Sequence, residues 1–416
     1  MPLFFVLRIF TSLLSLAILG GAGYLLWSWW QGEWLTSPDG VLFRVREDWR
    51  LWTGIGLAAW SLLGRVVLTP LLARPDKRVT APQRGAARVL AGPSGSSLHV
   101  ETHGRLDGPP IVFTHGWGLD STIWRYARED LSDRFRLVLW DLPGLGASKA
   151  PRGGEICLPD FARDLEAVLA AAGDKPAVLV GHSIGGMTIQ TLVRDHPAIQ
   201  DRIAGVVLLN TTYTNPLKTM ILSGLVQALR KPVLEPLMRL TAWLQPLAWL
   251  MAWQSYLSGS AHLANRLGFG RFVTRSQLEH VTLLATRNPP GVQAKGNLAM
   301  FDWDATGALI GFDKPVLVIG GDKDIVTKLE ASRVIAQETA GAQLRVIEDV
   351  NHLGFLERAD LYNSLIAEFA LSVQGRKTVD PRSFVAGEAG IGAEAAGAAG
   401  EPEPRWEGPR PGQPLH

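Results

Sequence analysis

Apolar residues fall along this chain in three regimes. The first 75 residues hold two long stretches, 9–30 and 51–72, that are almost free of charge. From about residue 98 to 210, short apolar runs alternate with segments of helical spacing. The runs 111–114, 137–140, 177–180 and 206–209 predict strands, and 122–131, 161–172 and 184–194 predict helices. Strands that are apolar on both faces and separated by helices predict a mostly parallel sheet covered on both sides. The alternation then stops. Residues 212–300 read as helix interrupted at Pro216, Pro232, Pro236 and Pro246. It resumes with a strand at 315–319, a helix from about Lys328, a strand at 344–347 and a helix near 358–371. The expected organisation is a membrane anchor over 1–75, a Pro-, Gly-, Arg- and Ser-rich linker over 76–97, and an α/β domain over 98–373 with a helical insertion at about 212–300. A tail over 374–416, rich in Gly, Ala, Glu and Pro, is expected to be disordered because it lacks apolar surface to bury.

The anchor reading rests on length and on tryptophan placement. Residues 9–30 are 22 residues without a charge, about 33 Å as a helix, which matches a hydrocarbon core of ~30 Å. A cleaved signal has an apolar region of only ~7–15 residues. Here the stretch ends in Trp27, Trp29, Trp30 and Trp34, the pattern of an aromatic belt. A retained span is therefore expected rather than a cleaved signal. The second stretch contains Arg65, and an arginine at mid-membrane costs ~2.5–3.5 kcal/mol. Snorkelling outward would relieve that cost. Two spans forming a helical hairpin are expected, and a helix lying in the interface is the alternative for the second.

Charge bears on orientation and on partners. Arg44, Arg46 and Arg50 lie between the stretches, and Arg74, Lys77, Arg78, Arg84 and Arg88 follow the second. The excess after the second span favours a cytoplasmic main domain with the amino terminus on the same side. With one span, the same start would put the domain outside. A net charge of +2 over 416 residues gives no reason to expect nucleic acid as a partner. The single cysteine, Cys157, excludes an internal disulfide framework.

The strongest chemical signal is Gly181-His182-Ser183-Ile184-Gly185-Gly186. It follows a predicted strand and precedes a predicted helix, the context in which G-x-S-x-G presents a nucleophile. Gly181 and Gly185 leave room for a sharp turn, and the helix amino terminus behind Ser183 favours developing negative charge. A serine hydroxyl needs a base. Among nine histidines, His352 lies in the loop Asp349-Val350-Asn351-His352 after the last predicted strand, at the same sheet edge. The base needs an orienting carboxylate. Gly320-Gly321-Asp322-Lys323-Asp324 follows the strand before that one; Asp324 is the favoured acid and Asp322 its competitor. An oxyanion needs donors. His115-Gly116-Trp117-Gly118 follows the strand at 111–114, so the Trp117 amide is expected to turn inward and join the Ile184 amide. His115 and Gly116 are expected to order that loop.

These motifs, together with Asp141-Leu142-Pro143-Gly144-Leu145-Gly146-Ala147-Ser148, fall in an order that resembles α/β-hydrolases of the esterase, haloperoxidase-like and epoxide-hydrolase branch. The resemblance covers about residues 98–373. It implies the α/β-hydrolase fold, with a mostly parallel central sheet, helices on both faces, and the insertion as a helical cap behind the transmembrane hairpin. It also implies roles for Ser183, Asp324 and His352 as a triad, and for the amides of Trp117 and Ile184. Epoxide hydrolases and haloalkane dehalogenases of this branch carry Asp where this chain has Ser183, which argues for acyl-transfer chemistry. The expected activity is hydrolysis of a lipophilic carboxylic ester, thioester or lactone through an acyl-enzyme, with no metal and no organic cofactor. The expected partners are a small ester substrate and the lipid bilayer. The rivals are an acyltransferase on the same triad and a membrane-tethered binding protein without turnover.

Overall fold

The computed structural model describes residues 2–151 and 155–374; the expected tail lies outside them from residue 375 onward. The chain opens with a 30-residue helix, α1 (Pro2–Gln31). A short antiparallel pair follows, β1 (Glu33–Thr36) and β2 (Leu42–Val45), where the sequence reading saw only a loop. Helix α2 (Asp48–Leu72) runs back. An edge strand, β3 (Ala87–Ala91), lies inside the segment read as a linker and pairs antiparallel with β4 (Ser97–Gly104).

The alternating region then builds β5 (Pro110–Thr114), α3 (Arg125–Leu131), β6 (Arg136–Trp140), α4 (Leu158–Ala171), β7 (Ala177–His182), α5 (Ile184–Asp195) and β8 (Ile203–Leu209). Seven helices form the insertion: α6 (Pro216–Thr219), α7 (Ser223–Leu229), α8 (Glu235–Trp243), α9 (Gln245–Leu257), α10 (Ser260–Arg266), α11 (Arg275–Arg287) and α12 (Pro290–Phe301). The chain returns through β9 (Val316–Gly321), α13 (Leu329–Glu338), β10 (Gln343–Ile347), α14 (Gly354–Glu357) and α15 (Ala359–Val373). Pro232 lies in a π-helical turn, Arg230–Leu234, that runs on into α8 ahead of Pro236, so the helix is interrupted there as expected, whereas Pro216 and Pro246 stand in the first turns of α6 and α9 and start those helices. A proline lacks only an amide that is unpaired there in any case.

Among the described residues, eight strands form one sheet in the order β10-β9-β8-β7-β5-β6-β4-β3. Pairing is parallel from β10 to β6 and antiparallel for β4 and β3. The inner strands are buried on both faces because alternate residues feed two different cores. Phe113, Leu137, Leu139, Val180 and Val207 enter one, with Tyr362 and Phe369 of α15. Val112, Val138, Trp140, Leu179 and Val206 enter the other, with Phe161 and Leu165 of α4. The strand order reverses at β5, which has β6 on one side and β7 on the other. A crevice outside the carboxyl ends of the strands opens at such a reversal.

Helices α1 and α2 pack along each other, with Gly54 admitting the side chain of Leu26; a Cβ at Gly54 would lie 2.8 Å from it. Only 22% and 11% of the residues in their most apolar windows are buried. Phe10, Leu14, Trp27, Trp30, Trp52 and Val66 are among the side chains left exposed. At the closed end, the Arg46 guanidinium lies 5.1 Å from the Trp29 ring centre and the Arg44 guanidinium 5.8 Å from that of Trp34. The open end of the pair is docked on the cap. Ser15 Oγ bonds Ser258 Oγ at 2.8 Å, and Gln254 Nε2 donates to the Ser61 carbonyl at 3.1 Å. Arg65 does not snorkel outward. It pairs with Glu279 of α11 at 2.8 Å and donates to Tyr256 Oη at 3.2 Å. A carboxylate 214 residues away supplies the counter-charge that outward snorkelling would have sought in water.

Candidate active site

The turn from β7 into α5 places Ser183 at φ 54°, ψ −119°, a conformation that costs a non-glycine residue ~1–3 kcal/mol. Its neighbours explain the local sequence. A Cβ on Gly181 would sit 2.5 Å from the Gly185 carbonyl carbon, and one on Gly185 would sit 2.3 Å from the Thr114 carbonyl oxygen. The Ser183 amide donates to Leu209 O at 3.0 Å, which ties the turn to the end of β8. Ser183 Oγ is buried and has no hydrogen-bond partner among the described residues. It lines a cavity of ≈ 100 Å³ together with His352, Trp117, Asn297, Phe5 and Arg8.

His352 follows β10, and Asp324 follows β9. His352 Nδ1 donates to Asp324 Oδ2 at 3.0 Å. Asp324 Oδ1 accepts the amides of Val326 and Thr327 at 2.8 and 2.9 Å, and Oδ2 also accepts Thr327 Oγ1 and Asn210 Nδ2, each at 2.9 Å. Burial alone would raise the Asp324 carboxyl, but His352, Asn210 and the Thr327 amide together hold it below the usual carboxylate range. Asp322, the competing acid, pairs instead with Lys323 at 3.0 Å and makes no bond to His352. Asn351 steadies the loop: its Oδ1 accepts the amides of His352 and Ile325 at 2.8 and 3.0 Å.

The loop after β5 approaches the same point. His115 Nδ1 donates to Gly116 O at 2.9 Å, and the Leu142 amide donates to His115 Nε2 at 3.0 Å. Both ring nitrogens are thus committed to loop structure, in a neutral tautomer. Gly116 lies against His182, whose Nδ1 would stand 2.5 Å from a Cβ there. The Trp117 ring packs on Gly296, and its Nε1 donates to Gln293 O at 3.0 Å. The hydrogen bonds among the described residues include none donated by the Trp117 or Ile184 amide. Asp141 anchors the neighbouring loop by accepting the Ser121 and Ala147 amides and Arg84, all at 2.7–2.8 Å.

Four contributors escaped the sequence reading. His182 donates from Nε2 to His352 O at 3.0 Å and its ring centre lies 4.8 Å from that of His352 at a tilt of 49°, so it supports the loop. Asn210 caps β8 and bridges Asp324 to Tyr362, whose Oη donates to Asn210 Oδ1 at 3.2 Å. Its signal was a lone amide ending an apolar strand at the same sheet edge. Arg8 and Phe5 come from α1; the signal for Arg8 was that it is the single charged side chain in residues 1–30. They also line a second, apolar groove of ≈ 300 Å³ between α1 and helices α8 and α9, walled by Leu13, Leu240, Leu244 and Met251.

Burial pushes His115 down and His182 well below the ordinary histidine range. It also pushes down His280, held between Thr80 and Thr122, to about 4. Each is neutral in the fold, while in the unfolded chain each protonates near pH ~6.5. Below that value the unfolded state binds more protons, so stability falls as pH falls. For His280 alone the window runs from 6.5 to about 4, worth about 3 kcal/mol. The melting temperature of the detergent-solubilised protein should therefore drop steeply between pH 6.5 and 4.5. A flat profile there would contradict the neutral assignment.

Comparison with known proteins points the same way. The family profile of the alpha/beta hydrolase fold matches residues 109–359. A pimeloyl-[acyl-carrier protein] methyl ester esterase of Nitrosospira multiformis is 26% identical over 279 residues, which is 66% of this chain and 98% of that protein. Among solved structures, the esterase RhEst1 from Rhodococcus sp. ECU1013 is 22% identical, with a TM-score of 0.55 over 70% of this chain and 100% of its own. An esterase from Exiguobacterium antarcticum is 19% identical, with a TM-score of 0.56 over 68% of this chain and 99% of its own. The matched segment spans most of the sheet and the whole of the cap, and the sheet order and the strand-to-helix serine turn agree with it, so this chain belongs to the α/β-hydrolase fold family.

Proposed function

We propose that this protein is a membrane-anchored serine esterase acting on lipophilic carboxylic esters, with thioesters and lactones open to the same chemistry. One observation carries the reading: an unpartnered Ser183 Oγ on a strained turn shares a cavity with His352, whose other ring nitrogen is held 3.0 Å from a buried carboxylate. Ser183 Oγ attacks the acyl carbonyl while His352 Nε2 takes its proton. The amides of Trp117 and Ile184 donate to the oxyanion, a stabilisation worth ~3–4 kcal/mol per donor in comparable sites. His352 then protonates the leaving alcohol, and water repeats the sequence in reverse to free the acid. Asp324 keeps the imidazole in the tautomer that accepts at Nε2 and stabilises the imidazolium.

The anchor would be the α1–α2 hairpin. Its exposed apolar faces and the tryptophans and arginines at its closed end support this, as does the apolar groove beside the cavity. The basic residues after Leu72 support a cytoplasmic catalytic domain on this reading.

A fluorophosphonate probe tests both parts together. Incubated with membranes from expressing cells, it should label this chain stoichiometrically, on Ser183 by peptide mapping, and the adduct should stay in the membrane fraction after alkaline extraction. An unlabelled chain would favour a binding protein without turnover. A labelled chain released by alkali would remove the anchor.

A further inference from the structure

The catalytic cavity of this chain is completed by a residue from the amino-terminal helix. Arg8 reaches between α11 and α12. One of its terminal nitrogens donates to Gln293 Oε1 at 3.1 Å and the other to the Ala285 carbonyl at 2.7 Å. Both acceptors are neutral. Among the described residues no carboxylate lies within ion-pairing distance of Arg8, whereas Arg65, Arg78, Arg84 and Arg230 all have such partners. A guanidinium taken out of water without a counter-charge is unfavourable, and these two bonds hold it in place without neutralising it.

Its position gives the unpaired charge a use. Arg8 lines the cavity that holds Ser183 and His352, and it also lines the apolar groove between α1 and helices α8 and α9. It therefore stands where a hydrocarbon chain would pass into the reaction site. A second polar group in the cavity is incompletely paired: Asn297 is 2% exposed, and its Oδ1 has no hydrogen-bond partner among the described residues. A site for a neutral apolar ester would need neither group. Phe5, on the same helix, packs against the cap core of Leu217, Met238 and Phe301, which fixes this turn of α1 in place.

We propose that Arg8 is a specificity-determining residue that pairs with an anionic group, carboxylate or phosphate, carried by the ester close to its scissile bond. The substrate class is then an acidic amphiphile. Its apolar chain lies in the groove, its anion on Arg8 and its acyl carbon at Ser183 Oγ. This rests on the esterase reading of Ser183. Guanidinium pairs with carboxylates or phosphates through charge-assisted, often bidentate, hydrogen bonds.

The test compares three esters of one chain length and one leaving group in detergent: one with a carboxylate beside the acyl group, one with a phosphate there, and one with a neutral amide. The wild-type full chain should show a kcat/KM at least tenfold higher for one or both anionic esters than for the neutral one, with the gain in KM. In Arg8→Gln that ratio should fall at least tenfold, and Arg8→Lys should restore part of it. A merely structural Arg8 would lower all three esters in proportion and leave the ratio intact, which overturns the proposal. So would a rise in activity toward all three esters in Arg8→Gln, the sign of a plug. If the variants fail to fold, the wild-type protein still decides. An alkyl carboxylate or phosphate should then inhibit at least tenfold more tightly than the alcohol of equal length, and equal inhibition rejects the idea. Ser183 labelled by the phosphonate with no preference for anions defeats this inference alone. An unlabelled Ser183 defeats the esterase reading beneath it.

Discussion

Ser183→Ala is expected to lower ester turnover by ~10⁴–10⁶-fold while leaving the melting temperature nearly unchanged, and His352→Ala should lose activity on the same scale. The two differ in stability for a physical reason. Ser183 Oγ makes no hydrogen bond, so its removal strands no partner and relieves a buried unsatisfied atom. Alanine keeps the one-carbon side chain, so the strained turn is unaltered. His352 instead donates to Asp324 and packs at a tilt against His182. Its loss leaves a buried carboxylate short of one hydrogen-bond donor and should lower the melting temperature as well. Thermal melts beside steady-state kinetics separate the two effects. If Ser183→Ala retains more than a few per cent of wild-type kcat, Ser183 is not the nucleophile.

Asp324→Asn should cost ~10³–10⁴-fold in kcat, by analogy with the same change in triads of this kind, whereas Asp322→Asn should stay within a few-fold of wild type. Both Asp324 oxygens are acceptors only: Oδ1 takes two backbone amides, and Oδ2 takes Thr327, Asn210 and His352. An amide at this position must turn its NH₂ toward donors in either orientation. One orientation breaks the turn into α13, and the other pushes His352 into the wrong tautomer. Asp322 pairs with the exposed Lys323, an interaction of a kind worth ~0–1 kcal/mol. Kinetics of the two variants side by side decide the matter; greater damage from Asp322→Asn would move the acid by two positions.

How far the sequence reached varied with the range of the interaction. Strand and helix positions in the alternating region were legible within a few residues, because period and turn chemistry are local properties. The short pair β1–β2 and the edge strand β3 were not. They are runs of four or five residues, too short to show a period, and their apolar side chains are mostly exposed rather than turned to a core. In the cap, Pro216 and Pro246 mark helix starts and Pro232 an irregular turn within a continuing helix, and the two look alike until a helix has a direction.

The amino-acid sequence by itself determined the parallel sheet, the glycine-framed turn at Ser183 and the order of serine, acid and histidine. Each follows from contacts within a few residues or from a repeating pattern along one strand or helix. Only the tertiary structure decided that His352 meets Asp324 rather than Asp322, that Asn210 and His182 brace that pair, and that Arg65 finds Glu279. The same holds for Arg8, whose partners lie 277 and 285 residues away. Pairings at such separations leave no periodic trace. They arise when the sheet brings loop ends to one edge and when an apolar helix settles on the cap, and both events depend on packing over the whole chain.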